Sequence, residues 1–439
     1  MTRRDWARAT AAALVAVGIA ANPSSPAATP AKTPARRGRK AFAALAQRVN
    51  GNNLIYLDSA ATTQRPEAVL NALMDFYRRD NANPSSGLHA LARRSYERYE
   101  AARATVAKFI HAASADEIVW VRGTTEGNNL VASAWARNNL RRGDEILLSI
   151  AEHASNLLPW RLVAEQSGAI IRYIDVDDAG RLRLDDLDRQ LSERTRLVAF
   201  SHVSNVIGYI NPAAEICTRA HRAGARVLID AAQSAPHVPI DVQALGCDFL
   251  TFSSHKMMGP MGIGVLWARR ELLEGMLPYQ TGSNMAHDVD VESFHLEHAA
   301  RKFGAGTPNV AGAVGLAAAI DYLVGLGRDE ITRHELEVTT YALARLREVR
   351  GLRLLGPAEP AQRVPVFSFV LEGHIPLEVM QALDARGIAI RAGDLAALPL
   401  LKRLGVTAAA RASCYLYSEK EDVDALVLTL ETMQKRSVA

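Results

Sequence analysis

Arg226-Val-Leu-Ile-Asp230-Ala-Ala-Gln233-Ser-Ala-Pro-His-Val-Pro-Ile-Asp-Val-Gln-Ala-Leu-Gly-Cys-Asp-Phe-Leu-Thr-Phe-Ser253-Ser-His255-Lys256 is the stretch that decides the fold. Its two short apolar runs, 227–229 and 249–252, read as buried parallel strands. Each run ends in polar residues. In an open α/β sheet ligands bind at the carboxyl ends of strands, so those polar residues point at a site. One strand end delivers Asp230 and Gln233, and the next delivers Ser253, His255 and Lys256. A lone lysine after a core strand is as readily a solvated surface residue. An acid, an amide and a lysine together suit pyridoxal phosphate (PLP), which takes a lysine for its imine and an acid for its pyridinium nitrogen.

Working outward, Gly123-Thr124-Thr125-Glu126-Gly127-Asn128 follows a strand-like run at 118–121 and opens a helix. Small residues there leave backbone N–H groups free to cradle a phosphate. His153 follows another strand, 145–148, in Ser149-Ile-Ala-Glu-His153-Ala-Ser-Asn156. With Ser201-His-Val-Ser-Asn205-Val-Ile-Gly208 and Gly304-Ala-Gly-Thr307-Pro-Asn309, the order and wording resemble the class V aminotransferase family of PLP fold type I. Within it the chain is most similar to the group II cysteine desulfurases and selenocysteine lyases. The resemblance runs from about residue 54 to about residue 430.

That resemblance implies roles. Lys256 would carry PLP and shuttle the substrate proton. Asp230 would keep the pyridinium protonated, Gln233 would bond the ring oxygen, and His153 would stack on the ring and relay protons. Thr124, Thr125, Ser253 and His255 would form the phosphate cup. Thr307 matches a position that reaches the phosphate of a neighbouring subunit, which implies a homodimer. Asn205 and Arg411 match residues that hold the substrate carboxylate, a task suited to the arginine fork. Arg391 is either a second anion contact or a solvated arginine.

The resemblance breaks at two places. Cysteine desulfurases need a thiolate a few residues after the arginine that Arg391 matches. Here that stretch reads Arg391-Ala-Gly393-Asp394-Leu395-Ala396-Ala397-Leu-Pro399, with Ala396 at the cysteine position and Asp394 and Leu395 in place of two histidines. An alanine is no nucleophile. Ser85 and Ser86 likewise stand where the family has His-Arg, and would open the entrance to a larger substrate. Cys414 lies three residues after Arg411 on an expected strand, so alternation turns it away from Arg411's face. Cys217, in a helix-like run, and Cys247, before a buried strand, read as packing residues; no metal-binding spacing joins the three cysteines.

Strands at 118–121, 145–148, 197–200, 227–229, 249–252 and 264–267 alternate with helical stretches. They predict an α/β fold with a mainly parallel, seven-stranded-type sheet between helices and a smaller α+β C-terminal domain. The expected parts are a signal peptide at 1–21, a disordered linker at 22–40 and an N-terminal segment of the small domain at 41–56. A large PLP-binding domain at 57–321 and a small domain at 322–439 follow. A short helix is expected over 41–49, small-domain strands at 364–370, 388–390 and 412–416, and a mobile active-site segment at 278–297.

The net charge of +4 is unevenly placed, with eight Lys/Arg and one Asp in residues 1–40 and a net −3 on the remainder. The basic balance belongs to the leader and lends no support to a nucleic-acid role. That leader, Met1-Thr-Arg3-Arg4-Asp-Trp6-Ala-Arg8 before the apolar run 11–21, reads as a twin-arginine signal, with a retained membrane anchor and an organellar transit peptide as the rival readings. Twin-arginine export carries folded proteins, which suits a cofactor installed in the cytoplasm. The expected compartment is the periplasm, or the cytoplasm if the leader does not function. The expected function is PLP chemistry on an amino acid, or on an amino-acid-like group of an exported metabolite or modified peptide: decarboxylation, transamination or epimerisation. The family also holds an exported PLP enzyme of pyoverdine maturation. The alternatives are a cysteine or cystine β-lyase, residual desulfurase-type activity, and a non-catalytic PLP-binding partner protein.

Overall fold

The structure, a computed structural model, describes residues 38–85 and 87–437. The expected signal peptide, most of the linker, and Ser86 lie outside the described residues. The linker's last residues are described and are ordered by contacts. Arg39 starts a short helical turn, Arg39–Ala41, and its guanidinium donates to the Leu45 carbonyl (3.2 Å) and to Asp422 (3.5 Å). The helix expected over 41–49 is instead two 3₁₀ turns, Arg39–Ala41 and Ala43–Ala46, followed by a short strand, Arg48–Val49. Burial of Phe42 and Leu45 fixes those turns without a helical repeat.

The central sheet has seven strands: β1 (Ile118–Val121), β2 (Glu145–Ser149), β3 (Ile170–Ile174), β4 (Thr195–Ser201), β5 (Arg226–Asp230), β6 (Phe249–Ser253) and β7 (Gly264–Ala268). Their spatial order is β1-β7-β6-β5-β4-β2-β3. The pairs β5–β6, β4–β5, β2–β4 and β2–β3 are parallel, and β7 runs antiparallel to both of its neighbours. Alternate residues enter opposite cores. Val227, Ile229, Leu250 and Phe252 pack on one face, and Leu228 and Phe249 on the other. A sheet covered on both sides demands such unbroken apolar runs. Edge strand β3 is the one the apolar blocks miss, because of its five residues only Ile174 is fully buried.

Gly264 sets how β7 meets the site. A Cβ there would lie 2.6 Å from Gly123 Cα, so only glycine lets β7 pass behind the turn that opens the next helix. That helix, α1 (Thr124–Val131), therefore starts directly above β6.

A second, antiparallel sheet comprises β8 (Leu352–Leu355), β9 (Val366–Leu371), β10 (Arg391–Gly393) and β11 (Ala409–Ser413), in the order β8-β9-β11-β10. It packs with helices α2 (Arg328–Glu348), α3 (Pro376–Asp384) and α4 (Lys420–Ser437) around its own apolar cluster. The strand expected at 412–416 is displaced to Ala409–Ser413, which puts Arg411 mid-strand. Tyr415 and Ser418 close a turn on each other beyond it, through Tyr415 N–H to Ser418 Oγ (3.1 Å) and Ser418 N–H to the Tyr415 carbonyl (2.9 Å). The segment Ile55–Tyr56 pairs in parallel with Ile388–Ala389, and Asp58 bridges to Ser413. This stitches the chain's early residues to the second sheet beside Arg391 and Arg411.

Candidate active site

A cavity of about 420 Å³ opens at the carboxyl ends of β2, β4, β5 and β6, and residues 391–396 and Arg411 form its far wall. Asp230, Gln233, Ser253, His255, Lys256, Thr124, Thr125, His153, Asn205, Arg391 and Arg411 all line it. Of the expected site residues, Thr307 alone does not. It is exposed, three residues before the helix Val310–Leu326, and no part of its own chain's cavity.

Asp230 ends β5 and is 5% exposed. Its Oδ1 accepts the Ala232 N–H at 2.9 Å, while the other oxygen has no hydrogen-bond partner among the described residues. Burial pushes its pKa up, against the pull of that N–H and of Lys256. Lys256 closes a 3₁₀ turn after β6. Burial lowers its pKa to about 8; Asp230 opposes the shift, and Arg411 and Arg391 add to it. Among the described residues no hydrogen bond or ion pair engages its amine.

His153 caps the turn Ala154–Asn156, its Nδ1 accepting the Ser155 N–H at 3.1 Å. An accepting Nδ1 places the ring proton on Nε2. Burial, then the charges of Lys256 and Arg411, lower its pKa to about 4, so the ring is neutral near pH 7. His255, half-buried, is lowered to about 4, chiefly by burial. Gln233 donates through Nε2 to the Ala60 carbonyl (2.7 Å), which orients the amide toward the cavity.

Ser253 Oγ accepts the Thr124 N–H (2.8 Å) and lies 2.9 Å from Thr124 Oγ1. Thr125 Oγ1 meets Ser155 Oγ at 2.8 Å. A Cβ on Gly123 would lie 3.0 Å from Ser253 Oγ, so glycine brings this cluster of hydroxyls to the start of α1. Helix N–H groups and hydroxyls converging on one point form an anion cradle.

The opposite wall is a turn. Leu395 and Ala396 both have left-handed backbones, with φ 52° and 53°. It is tied down by the Ala154 N–H to the Ala396 carbonyl (2.7 Å), by Asn205 Nδ2 to the Leu395 carbonyl (2.8 Å), and by the Ala396 N–H to Asp394 Oδ1 (3.0 Å). Asn205 therefore spends one amide hydrogen on the wall. The Asn205 carbonyl accepts from Arg411 Nη1 at 2.9 Å. Arg411 is 2% exposed, and its Nε has no partner among the described residues. The chain's three cysteines, Cys217, Cys247 and Cys414, are all buried, and none lines the cavity.

Two acids at the site escaped the sequence reading. Asp58 accepts from both Arg391 and Arg411. Glu152, completely buried beside His153, accepts from Ser149 Oγ, Ser201 Oγ, the Ser201 N–H and Asn156 Nδ2 at 2.6–3.0 Å. For Glu152 the available signal was position, since it directly precedes His153 after a buried strand.

The donor set fits PLP. Among the described residues the Lys256 amine has no partner and Asp230 is a buried acid with one unbonded oxygen, while the hydroxyls and N–H groups at the start of α1 are the donor types that hold a phosphate. Fold and site together define a PLP-dependent enzyme of fold type I.

The aminotransferase class-V family matches residues 55–426, and the chain belongs to that family. It is 49% identical over 393 residues to a probable cysteine desulfurase of Halalkalibacterium halodurans, covering 90% of this chain and 96% of that one. It is 46% identical over 400 residues to a cysteine desulfurase of Dickeya dadantii, covering 91% and 96%. Among solved structures, an Escherichia coli cysteine desulfurase in its S-sulfonic acid form matches with a TM-score of 0.83 at 40% identity, over 91% of this chain and 98% of that one. A protein with glycine covalently linked to PLP shares the fold, with a TM-score of 0.77 at 22% identity.

Proposed function

We propose that this enzyme acts on the α-carbon of an amino acid, or of an amino-acid-like group on an exported metabolite, and carries no persulfide on its own chain. The observation behind this reading is that the cavity joins Lys256, Asp230 and Arg411 while every cysteine is buried elsewhere. Bound PLP supplies an electron sink for the charge left when a bond to the α-carbon breaks.

The chain's own residues would do the rest. Asp230 would face the ring nitrogen, and His153 would lie against the ring. The hydroxyls of Thr124, Thr125 and Ser253 would hold the phosphate with His255. Arg411, supported by Arg391, would take the substrate carboxylate and so orient the α-carbon bonds. Lys256 Nζ, with a pKa lowered to about 8, is poised to take and return the α-proton near neutral pH. Decarboxylation, transamination and epimerisation all use this arrangement. All three charged groups are in place, which argues against a non-catalytic role.

A second reading has its own support: relatives at 46–49% identity carry the names cysteine desulfurase or probable cysteine desulfurase. On that reading the substrate is cysteine or a conjugate; sulfide, or the conjugate's thiol, leaves directly by β-elimination, and hydrolysis of the remaining three-carbon enamine gives pyruvate and ammonia. The exposed Thr307 suits a homodimer in which it completes the partner's phosphate site. The twin-arginine leader suits a periplasmic enzyme.

The deciding experiment is product analysis. The purified protein is incubated with L-cysteine and a mild reductant, and alanine, pyruvate and sulfide are measured. The proposal expects no alanine, and pyruvate with sulfide would select the β-lyase reading. Alanine formation that disappears in Lys256→Ala would show desulfuration without a thiol at position 396 and overturn the proposal.

A further inference from the structure

The segment that follows the last central strand carries a cluster the reaction does not use. Ala286–His287 and His295–Leu296 form a two-stranded hairpin in which His287 pairs directly with His295. Directly paired residues bring their Cβ atoms to about 5 Å, the reach at which two imidazoles share one ion. Their rings stand 5.6 Å apart at 20°. Asp288 follows at φ 51°, a left-handed backbone uncommon outside glycine, asparagine and aspartate. One ligand atom from each of His287, Asp288 and His295 lies within 4.8 Å of the others. The Glu297 carboxylate stands 3.6 Å from His287 Nδ1.

Two further observations point to a cation. Residues 286–298 hold four carboxylates, Asp288, Asp290, Glu292 and Glu297, three histidines and no lysine or arginine. The local field therefore attracts positive charge. The hairpin is also fixed at its foot. Met285 is buried, the Glu297 N–H donates to its carbonyl (2.8 Å), and Asn284 Nδ2 reaches the Gly306 carbonyl (2.9 Å). An anchored base holds the ligand positions close to their bound arrangement.

We propose that His287, Asp288 and His295 bind a divalent transition-metal ion of the zinc type. Two imidazole nitrogens and one carboxylate oxygen form a borderline donor set that selects zinc and its neighbours over calcium or magnesium. Glu297 or a water fills the fourth position. The ion clips the two strands together and stiffens a segment whose foot is bonded to Gly306, next to Thr307.

The test uses tag-free holoenzyme stripped with a chelator and titrated with zinc chloride by calorimetry. The wild-type chain is compared with a His287→Ala, His295→Ala double variant. The expected result is one zinc per chain at micromolar concentration, weakened by more than about tenfold in the double variant, whose cofactor absorbance is unchanged. Zinc is also expected to slow amide exchange over 286–296 in the wild type only. Absence of wild-type binding in that range, or equal binding by the double variant, overturns the proposal.

Discussion

Arg391 holds Asp58 with two parallel hydrogen bonds, Nε to Oδ1 at 3.2 Å and Nη2 to Oδ2 at 2.9 Å. Arg411 joins the same carboxylate through Nη2 at 3.3 Å. Asp58 thus sits where it neutralises the two arginines assigned to the substrate, and an incoming carboxylate has to compete with it. Burial lowers the Arg411 pKa to about 10 while Asp58 acts to raise it, so the acid also keeps this buried cation tolerable.

Replacing Asp58 with Asn tests both effects. The variant is expected to lose about 2–3 kcal/mol of folding stability, because a buried guanidinium keeps only part of its compensation. It is also expected to bind non-reacting amino acid analogues several-fold more tightly, since the arginines are freed. Urea midpoints and a titration followed by cofactor absorbance measure the two. Weaker analogue binding would mean that Asp58 positions the arginines instead of competing for them.

Lys256 gives a pH signature. With its amine lowered to about 8 from 10.5, the nucleophilic uncharged form predominates above about pH 8. In cofactor-free protein, the rate of covalent PLP attachment should rise with pH and level off there. A borohydride-fixed adduct measures it, and Lys256→Ala should give none. A plateau near 10.5 would show a lysine that solvent reaches freely.

The sequence made the central sheet legible because covered strands must be continuous apolar blocks, and six of the seven are. Strand β3 lacks such a block because only Ile174 of its five residues is fully buried. The polar residues at strand ends were legible as a set, since Asp230, Gln233, Ser253, His255 and Lys256 together follow adjacent buried strands at the end where an open α/β sheet binds its ligand. The supporting acids were not. Asp58 reaches Arg391 and Arg411 only after two distant segments pair with the second sheet, 333 and 353 residues away in sequence. No periodicity reports a contact of that kind. The strand carrying Arg411 starts three residues before the expected one because the buried Tyr415 and Leu416 imitate a strand while lying in or next to a turn.

The cysteines make a direct test of the cavity's composition. Burial pushes the Cys217 and Cys414 thiols up to about 12 and raises Cys247 well above the ordinary thiol range. A thiol that is both buried and protonated resists alkylation. Native protein at pH 8 should take up no iodoacetamide, whereas Ala396→Cys, which adds a thiol on the cavity wall, should take one label per chain. Mass spectrometry counts the labels. Labelling of the native wild type would show that one of the three closed environments opens.

Glu152 supplies the last test, through the dependence of stability on pH. Burial raises its carboxyl from 4.5 to about 7, against four hydrogen bonds that favour the charged form. An acid whose pKa is higher folded than unfolded stabilises the fold fully below 4.5, and that contribution is lost as pH rises through about 7. The proton has somewhere to go, because either serine hydroxyl on the carboxylate can rotate to accept it. Glu152→Gln removes the titration. The amide also sets an NH₂ against either the Ser201 N–H or the Asn156 NH₂, so the variant is less stable throughout. The informative quantity is therefore the gap between wild type and variant. It should narrow by up to about 3 kcal/mol between pH 4.5 and 8, read from urea midpoints of the cofactor-free proteins. His153, His202 and His255, each lowered to about 4 chiefly by burial, lose stability toward acid in both proteins alike and cancel in the difference. A gap that widens with pH would mean that the four donors hold Glu152 ionised, as a fixed negative charge behind His153.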